Sequence, residues 1–283
     1  MSRAPNTRNQ STGRDSELKR LLIRPGAIGD TIVSLPALES ACCSSYNEVW
    51  VSSPCVPLIG FADRVRSIAS TGLDLLELGM ETPAAAALSC FDSVISWYGT
   101  NRPEFREAVR DLPFTFHPAL PERSDLHAVD FYSRQVGVPD GGIPSIEQVP
   151  VQPRSTIVIH PFSGSPKKNW PLSKFEELAG SLPLPVEFTA GPQEELAEAM
   201  RFDGLGRLAQ WLAGARVYVG NDSGISHLAA AVGVPVVSIF RSTDPKKWAP
   251  RGRSPISVLP GDPSVDEVRR AVLAILTGSP PRQ

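Results

Sequence analysis

The sequence predicts an α/β protein of two Rossmann-like lobes, whose parallel sheets face a central cleft. Three observations carry that expectation. Short β-branched runs alternate with helix-period segments, the pattern of a parallel sheet covered by helices on both faces. The alternation comes in two blocks. Between them lies "GVPDGGIPSIEQVPVQPRS" (137–155), rich in Gly and Pro and without periodicity, which reads as a linker. The expected division is a disordered tail over 1–17, a first lobe over 18–151 and a second over 152–262. Residues 263–283 then form a C-terminal helix and tail, free to pack back on the first lobe.

The elements follow in order. Lys19–Arg24 reads as a strand that breaks into a turn at Gly26 and Gly29, and a helix is expected over Thr31–Cys42. "EVWVSS" and "SVISWY" are strand-like, and 101–135 is helical in pieces broken by prolines. In the second block "STIVIH" (155–160) is a buried strand. After a polar loop, Ser173 opens a helix with Glu176 three residues on, a capping-box spacing. "VEFTA" is a strand, "GPQEELAEAM" a turn and helix, and "GRLAQWLAGA" a helix. "RVYVG" is a strand, "NDSG" a turn, "ISHLAAAVG" a helix, and "VPVVSIF" the closing strand.

Composition narrows the function. With 283 residues and 41% apolar side chains the chain can build one large or two ordinary cores. Net charge is only −2, so no global field points to nucleic acid or to an anionic membrane. No apolar run approaches the roughly 18 residues of a membrane span, and the polar first 17 residues lack a signal-peptide core. Cys42, Cys43, Cys55 and Cys90 show no metal-type spacing, and a reducing cytoplasm is the simplest home. Charge is uneven: residues 18–151 hold ten basic against sixteen acidic side chains, and 152–262 hold twelve against ten. The second lobe is therefore the home for an anionic ligand.

Ligands of open parallel sheets sit at the carboxyl ends of the strands, and the turns there carry unusual chemistry. In "VGNDSGISHLAA" (219–230), Asp222-Ser223-Gly224 opens a helix whose free N–H groups suit a phosphate. His227 is on its first turn. The plain alternative is an N-cap and a packed histidine. In "HPFSGSPKKNWP" (160–171), Ser163, Ser165, Lys167 and Lys168 suit a phosphate or sugar hydroxyls, or simply a solvated loop. Trp170-Pro171 packs the helix entry. In "TAGPQEELAE" (189–198), Glu194 and Glu195 either complement a helix dipole or accept from a ribose. Asp30, in "LLIRPGAIGDTIVSLPALES", is equally an N-cap and a cleft-edge general base. There is no GxxxxGK[ST], no GxGxxG after the first strand, no Asp-x-Asp for a metal-clamped diphosphate and no GxSxG elbow.

Together, "RPGAIGDTIVSLPAL", "HPFSGSPKKNWP", "GNDSGISHLAAAVGVPVVSIF" and "STDPKKW" resemble glycosyltransferase family 9, the heptosyltransferases of the GT-B fold. The resemblance implies an inverting, metal-independent transfer of a sugar, usually heptose from an ADP-heptose donor, to a glycan or lipopolysaccharide-type, lipid-linked saccharide. It implies no cofactor, no metal, no nucleic acid and a cytoplasmic protein, with room for peripheral contact at the inner membrane. By motif, Asp30 would be the general base and Gly29 would lie near the transferred sugar. Ser163 and Ser165 would face the diphosphate, Lys168 the sugar or phosphate, and Glu195 the ribose. Asp222 would hold donor-sugar hydroxyls, Ser223 and Gly224 the phosphates, His227 would support that turn, and Thr243 would close the donor pocket. Phe162 stands where many relatives have glycine, and the acidic first lobe suits a neutral acceptor unless Arg64, Arg66, Arg102 and Arg106 cluster. The rivals are a nucleotide-sugar epimerase of the same fold and a non-catalytic nucleotide-sugar-binding module.

Overall fold

The computed structural model describes residues 18–122, 125–147 and 151–278, so the expected tail over 1–17 lies outside the described residues. Its strands, in chain order, are β1 (Lys19–Arg24), β2 (Tyr46–Val51), β3 (Arg64–Ser67), β4 (Ser93–Ser96) and β5 (Phe114–Phe116), then β6 (Ile157–His160), β7 (Val186–Phe188), β8 (Val217–Asn221), β9 (Val236–Phe240) and β10 (Ile256–Pro260). The helices are α1 (Ile28–Val33), α2 (Leu35–Ala41), α3 (Pro83–Leu88), α4 (Pro103–Ala108), α5 (Ala128–Gln135), α6 (Leu172–Ser181), α7 (Leu205–Ala213), α8 (Gly224–Ala231), α9 (Pro245–Trp248) and α10 (Val265–Leu276).

They form two five-stranded parallel sheets, ordered β3-β2-β1-β4-β5 and β10-β9-β8-β6-β7. The central strands are apolar on both faces because helices cover both. Leu21, Leu22 and Ile23 of β1 are fully buried, as are Ile157, Val158 and Ile159 of β6. In each sheet the chain turns outward at the strand next to the middle, β1 and β4 in one and β8 and β6 in the other. That is the switch point where a crevice opens beyond the carboxyl ends. This is the GT-B arrangement the sequence leads one to expect. One apolar core also runs between the lobes, from Leu22, Ile32 and Leu58 to Leu208, Leu228 and Val236.

Several elements differ from the sequence reading. The helix expected over Thr31–Cys42 starts earlier and is two helices, parted at Ser34. Pro36 cannot donate to the turn before it and so begins a new helix. Ser173 does not cap α6: Pro171 is the N-cap, and no side-chain cap bond forms there. The capping box lies instead at Ser264 and Glu267, opening α10. "GPQEELAEAM" is not helical. The Arg201 guanidinium takes the carbonyls of Gly191, Glu194 and Leu196, which holds the segment as a loop. Glu198 there adopts φ +58°. α10 packs on α6 and the second sheet through Val268 and Val272, not back on the first lobe.

Candidate functional site

Three turns at the carboxyl edges meet across the cleft. In the first, β1 runs through Pro25–Ala27 into α1. Asp30 is the third helical residue rather than the N-cap, and its carboxylate accepts the Ala27 N–H at 3.1 Å. This is the returning half of a capping box. In the second, β8 ends at Asn221 and α8 begins at Gly224, with Ser223 as N-cap accepting from Ser226 N–H. In the third, the loop after β6 reaches a short 3-10 turn, Pro166–Lys168. Asn221 ties the last two together. Its Nδ2 donates to the Pro161 carbonyl and its Oδ1 accepts the Trp170 N–H, each at 2.8 Å. Trp170 is buried edge-on to Phe175 and donates through Nε1 to Pro263 O, so it packs the helix entry as the sequence suggests.

The open cavity between the lobes measures about 260 Å³. From the first lobe it is lined by Ala27, Gly29, Asp30 and Leu120, and from the second by Gly164, Lys168, Asp222, Ser223, Gly224, His227, Thr243 and Trp248. Lys168 Nζ donates to Asp222 Oδ2 at 2.8 Å, and the Thr243 hydroxyl donates to the same oxygen. Asp222 is only 4% exposed, and this pairing makes its burial tolerable. His227 is buried and its pKa is driven down to about 4, chiefly by burial, against the pull of Asp222. A neutral imidazole therefore forms part of the cavity wall. Gly224 lies against α1: a Cβ there would be 2.8 Å from Ile28 Cβ and 2.9 Å from Gly29 N.

Eight of the residues singled out from sequence thus share one cavity: Gly29, Asp30, Lys168, Asp222, Ser223, Gly224, His227 and Thr243. Three do not line it. Ser163 is turned into its own loop, 2.6 Å from Asn169 Oδ1, and Ser165 stands at the N-cap position of the 3-10 turn without a side-chain capping bond. Glu195 is exposed on the loop that replaces the expected helix. Its neighbour Glu194 is the ordered one, accepting the Gly191 N–H at 2.5 Å and facing His160 Nε2 at 3.0 Å. Burial would raise the Glu194 pKa, but these bonds outweigh it and bring it below the usual value. Gly164, from the hydroxyl-rich turn, lines the cavity too. Ala27, Leu120 and Trp248 also line it and escaped sequence reasoning. Trp248 had a signal, the aromatic that ends "STDPKKW". The four arginines do not cluster: Arg64 and Arg66 lie on β3, whereas Arg102 pairs with Glu77 and Arg106 stacks over Phe116 at 5.0 Å.

A strap of the second lobe crosses to the first beside this cavity. Lys247 donates to Pro121 O at 3.1 Å, His127 Nε2 to Ala249 O at 2.9 Å, and Arg251 grips Asp130 with two bonds of 2.6 Å. Those bonds hold the Asp130 carboxyl below its usual pKa. Among the described residues no group of three or more His, Cys, Asp or Glu side chains could hold a metal ion, and no helix is long and apolar enough to cross a membrane.

Comparison with known proteins bears on this geometry. The model of glycosyltransferase family 9 (heptosyltransferase) matches residues 140–271, the lobe that carries Lys168 and Asp222. Lipopolysaccharide heptosyltransferase 3 of Escherichia coli is 29% identical over 38% of this chain, an alignment that spans 37% of that protein's length. Two solved structures share the fold over nearly the whole chain. E. coli heptosyltransferase WaaC with ADP has a TM-score of 0.65 at 18% identity, covering 91% of this chain and all of that one. E. coli ADP-heptose lps heptosyltransferase II has a TM-score of 0.69 at 17% identity, covering 92% of this chain and 99% of that one.

Proposed function

We propose that this chain, similar to glycosyltransferase family 9 (heptosyltransferase) over residues 140–271, is a glycosyltransferase that moves a sugar from a nucleotide diphosphate to a glycan acceptor with inversion and without a metal. Heptose and ADP are the sugar and nucleotide of choice, because the family description names heptosyltransferases and the WaaC structure carries ADP. A lipopolysaccharide-type saccharide is the corresponding acceptor, in keeping with the E. coli relative. The single observation that carries the reading is the shared cavity, in which Asp30 from one lobe faces Lys168, Asp222 and the start of α8 from the other.

In this reading the diphosphate lies against the N–H groups at the start of α8 and the Lys168 ammonium. The acceptor hydroxyl oxygen attacks the anomeric carbon from the opposite face. The bond from that carbon to the phosphate oxygen breaks, and the nucleoside diphosphate leaves with the electron pair. The acceptor proton passes to the Asp30 carboxylate. Thr243 and Lys168 hold one oxygen of Asp222, which leaves the other for a sugar hydroxyl. The neutral His227 adds no competing charge to the cavity wall.

The test pairs two variants. Asp30→Asn should lose transfer while calorimetric binding of ADP stays within about twofold. Asp222→Ala should weaken binding of the sugar nucleotide more than of ADP. Full turnover in Asp30→Asn would remove this residue from the chemistry.

A further inference from the structure

Beneath the Asp30 turn lies a cation that the reaction outlined above does not use. Arg24, the last residue of β1, is 1% exposed. Burying a charge is costly unless it is paired or fully hydrogen-bonded. Among the described residues no ion pair forms at its guanidinium, so hydrogen bonds and a ring must hold it. Its three nitrogens are all engaged: Nε donates to Ser34 Oγ at 3.1 Å, Nη1 to Pro25 O at 2.5 Å and Nη2 to Asp30 O at 3.0 Å. The Tyr132 ring covers the guanidinium at 4.6 Å, and its hydroxyl is pinned to Ala119 O at 2.7 Å.

All three acceptors belong to one stretch, 25–34, the strand–turn–helix segment that carries Asp30. Its ends are drawn onto one planar fork whose geometry tolerates little change. Gly26 makes room for this. It adopts φ +130°, and a Cβ there would meet Asp30 Cβ at 2.9 Å, Asp30 Oδ2 at 3.2 Å and Arg24 Nη1 at 3.3 Å. Carboxylate and guanidinium thus both border the space that a side chain at this glycine would fill. Arg24 does not line the cavity, so it acts on a bound molecule only through this turn.

We propose that Arg24 is a positioning residue for Asp30, fixing the turn so that the carboxylate faces the cavity. The proposal rests on the reading of Asp30 as the general base. Because Arg24 reaches the reaction through Asp30 alone, its loss should be invisible once Asp30 is already disabled.

The experiment is a double-mutant cycle on the full chain with Arg24→Met and Asp30→Asn. Turnover is read as ADP release from ADP-heptose with a lipopolysaccharide-core acceptor, and ADP affinity by calorimetry. Arg24→Met should lower kcat about 100-fold and leave ADP affinity within about twofold. In the Asp30→Asn background it should change the residual rate by less than about twofold. Arg24→Lys keeps the charge without the fork and should fall between, which separates positioning from a failure to fold. Hydrogen exchange gives a readout free of activity: the Ala27 amide should lose protection in Arg24→Met while the amides of α8 keep theirs. Near-wild-type kcat in Arg24→Met, additive losses in the cycle, or equal loss of ADP affinity would overturn the proposal. Failure of the underlying reading looks different, as full turnover in Asp30→Asn with Arg24 intact.

Discussion

Replacing Gly224 by alanine tests the closeness of the two lobes directly. The new methyl carbon would stand 2.8 Å from Ile28 Cβ, 3.0 Å from Ile28 Cγ2 and 2.9 Å from Gly29 N. Carbon atoms rest at about 3.5–4.0 Å, so the overlap is about 0.7 Å or more. Two of the three atoms struck, Ile28 Cβ and Gly29 N, cannot rotate aside, so α1 must move away as a unit. Overpacking of this kind costs about 1–3 kcal/mol. At about 2–4 °C per kcal/mol for a chain of this order of size, Tm should fall by roughly 2–12 °C. Asp30 lies two residues beyond Ile28, and a displacement near 1 Å costs a reacting group about 100-fold in rate. Gly29→Ala is the built-in control. Its methyl carbon would lie 3.5 Å from His227 Cδ2 and 3.6 Å from Gly224 Cα, ordinary contact distances. Differential scanning fluorimetry of both variants and turnover of Gly224→Ala decide the matter. Wild-type Tm and kcat in Gly224→Ala, or an equal fall in Tm from Gly29→Ala, would refute the argument.

Stability should depend on pH through His227. Burial lowers its pKa to about 4 in the folded chain from an unfolded value near 6.5. Between those values the unfolded chain binds a proton that the native one does not, so stability is present above about pH 6.5 and drains away as pH falls towards 4. The difference is on the order of 3 kcal/mol. His127 and His117 are shifted the same way by burial, so His227→Asn should flatten the Tm profile in this window only in part. An unchanged profile would reject the buried neutral imidazole. Removal of metals by EDTA should leave turnover as it was, since Lys168 and the α8 amides are proposed to carry the diphosphate. A fall that a divalent cation restores would reject that assignment.

Much of this was legible because the signals are local. Asp222-Ser223-Gly224 and Asp30 each sit between an apolar run and a helix pattern, and any parallel sheet brings such turns to its carboxyl edge. Of the four edge strands only β7, within "VEFTA", was legible. β3 (Arg-Val-Arg-Ser), β5 (Phe-Thr-Phe) and β10, which ends in Pro260, are short and half-exposed, so neither alternation nor a continuous apolar run marks them. The misread "GPQEELAEAM" has strong helical propensity, and the tertiary grip of Arg201 on three carbonyls overrides it. Ser163 and Ser165 illustrate a different limit. Hydroxyl-rich composition says that a loop can bind, but not which way its side chains turn, and here Ser163 satisfies its own loop. Arg24 was hidden because an arginine ending a strand reads as solvent-facing until the fold closes over it.

The fixed negative charge at the first turn follows from what converges there. The starts of α1 and α8, each with N–H groups outside the helical ladder, abut at Gly29 and Gly224. Lys168 adds a full positive charge at the cavity wall and Arg24 a second behind it. Unfilled, such a site would hold positive charge in low dielectric. Asp222 answers Lys168 at 2.8 Å, and Asp30 answers the α1 amides through Ala27 at 3.1 Å. Each carboxylate therefore balances its own lobe before any substrate arrives. The proposed diphosphate must then compete with Asp222 for Lys168, while Asp30, engaged by a single backbone N–H, keeps lone pairs free for an acceptor hydroxyl. That asymmetry is why the carboxylate that binds is assigned to the second lobe and the one that takes the proton to the first. The interlobe strap at Lys247, Ala249 and Arg251 then holds the two at a set separation.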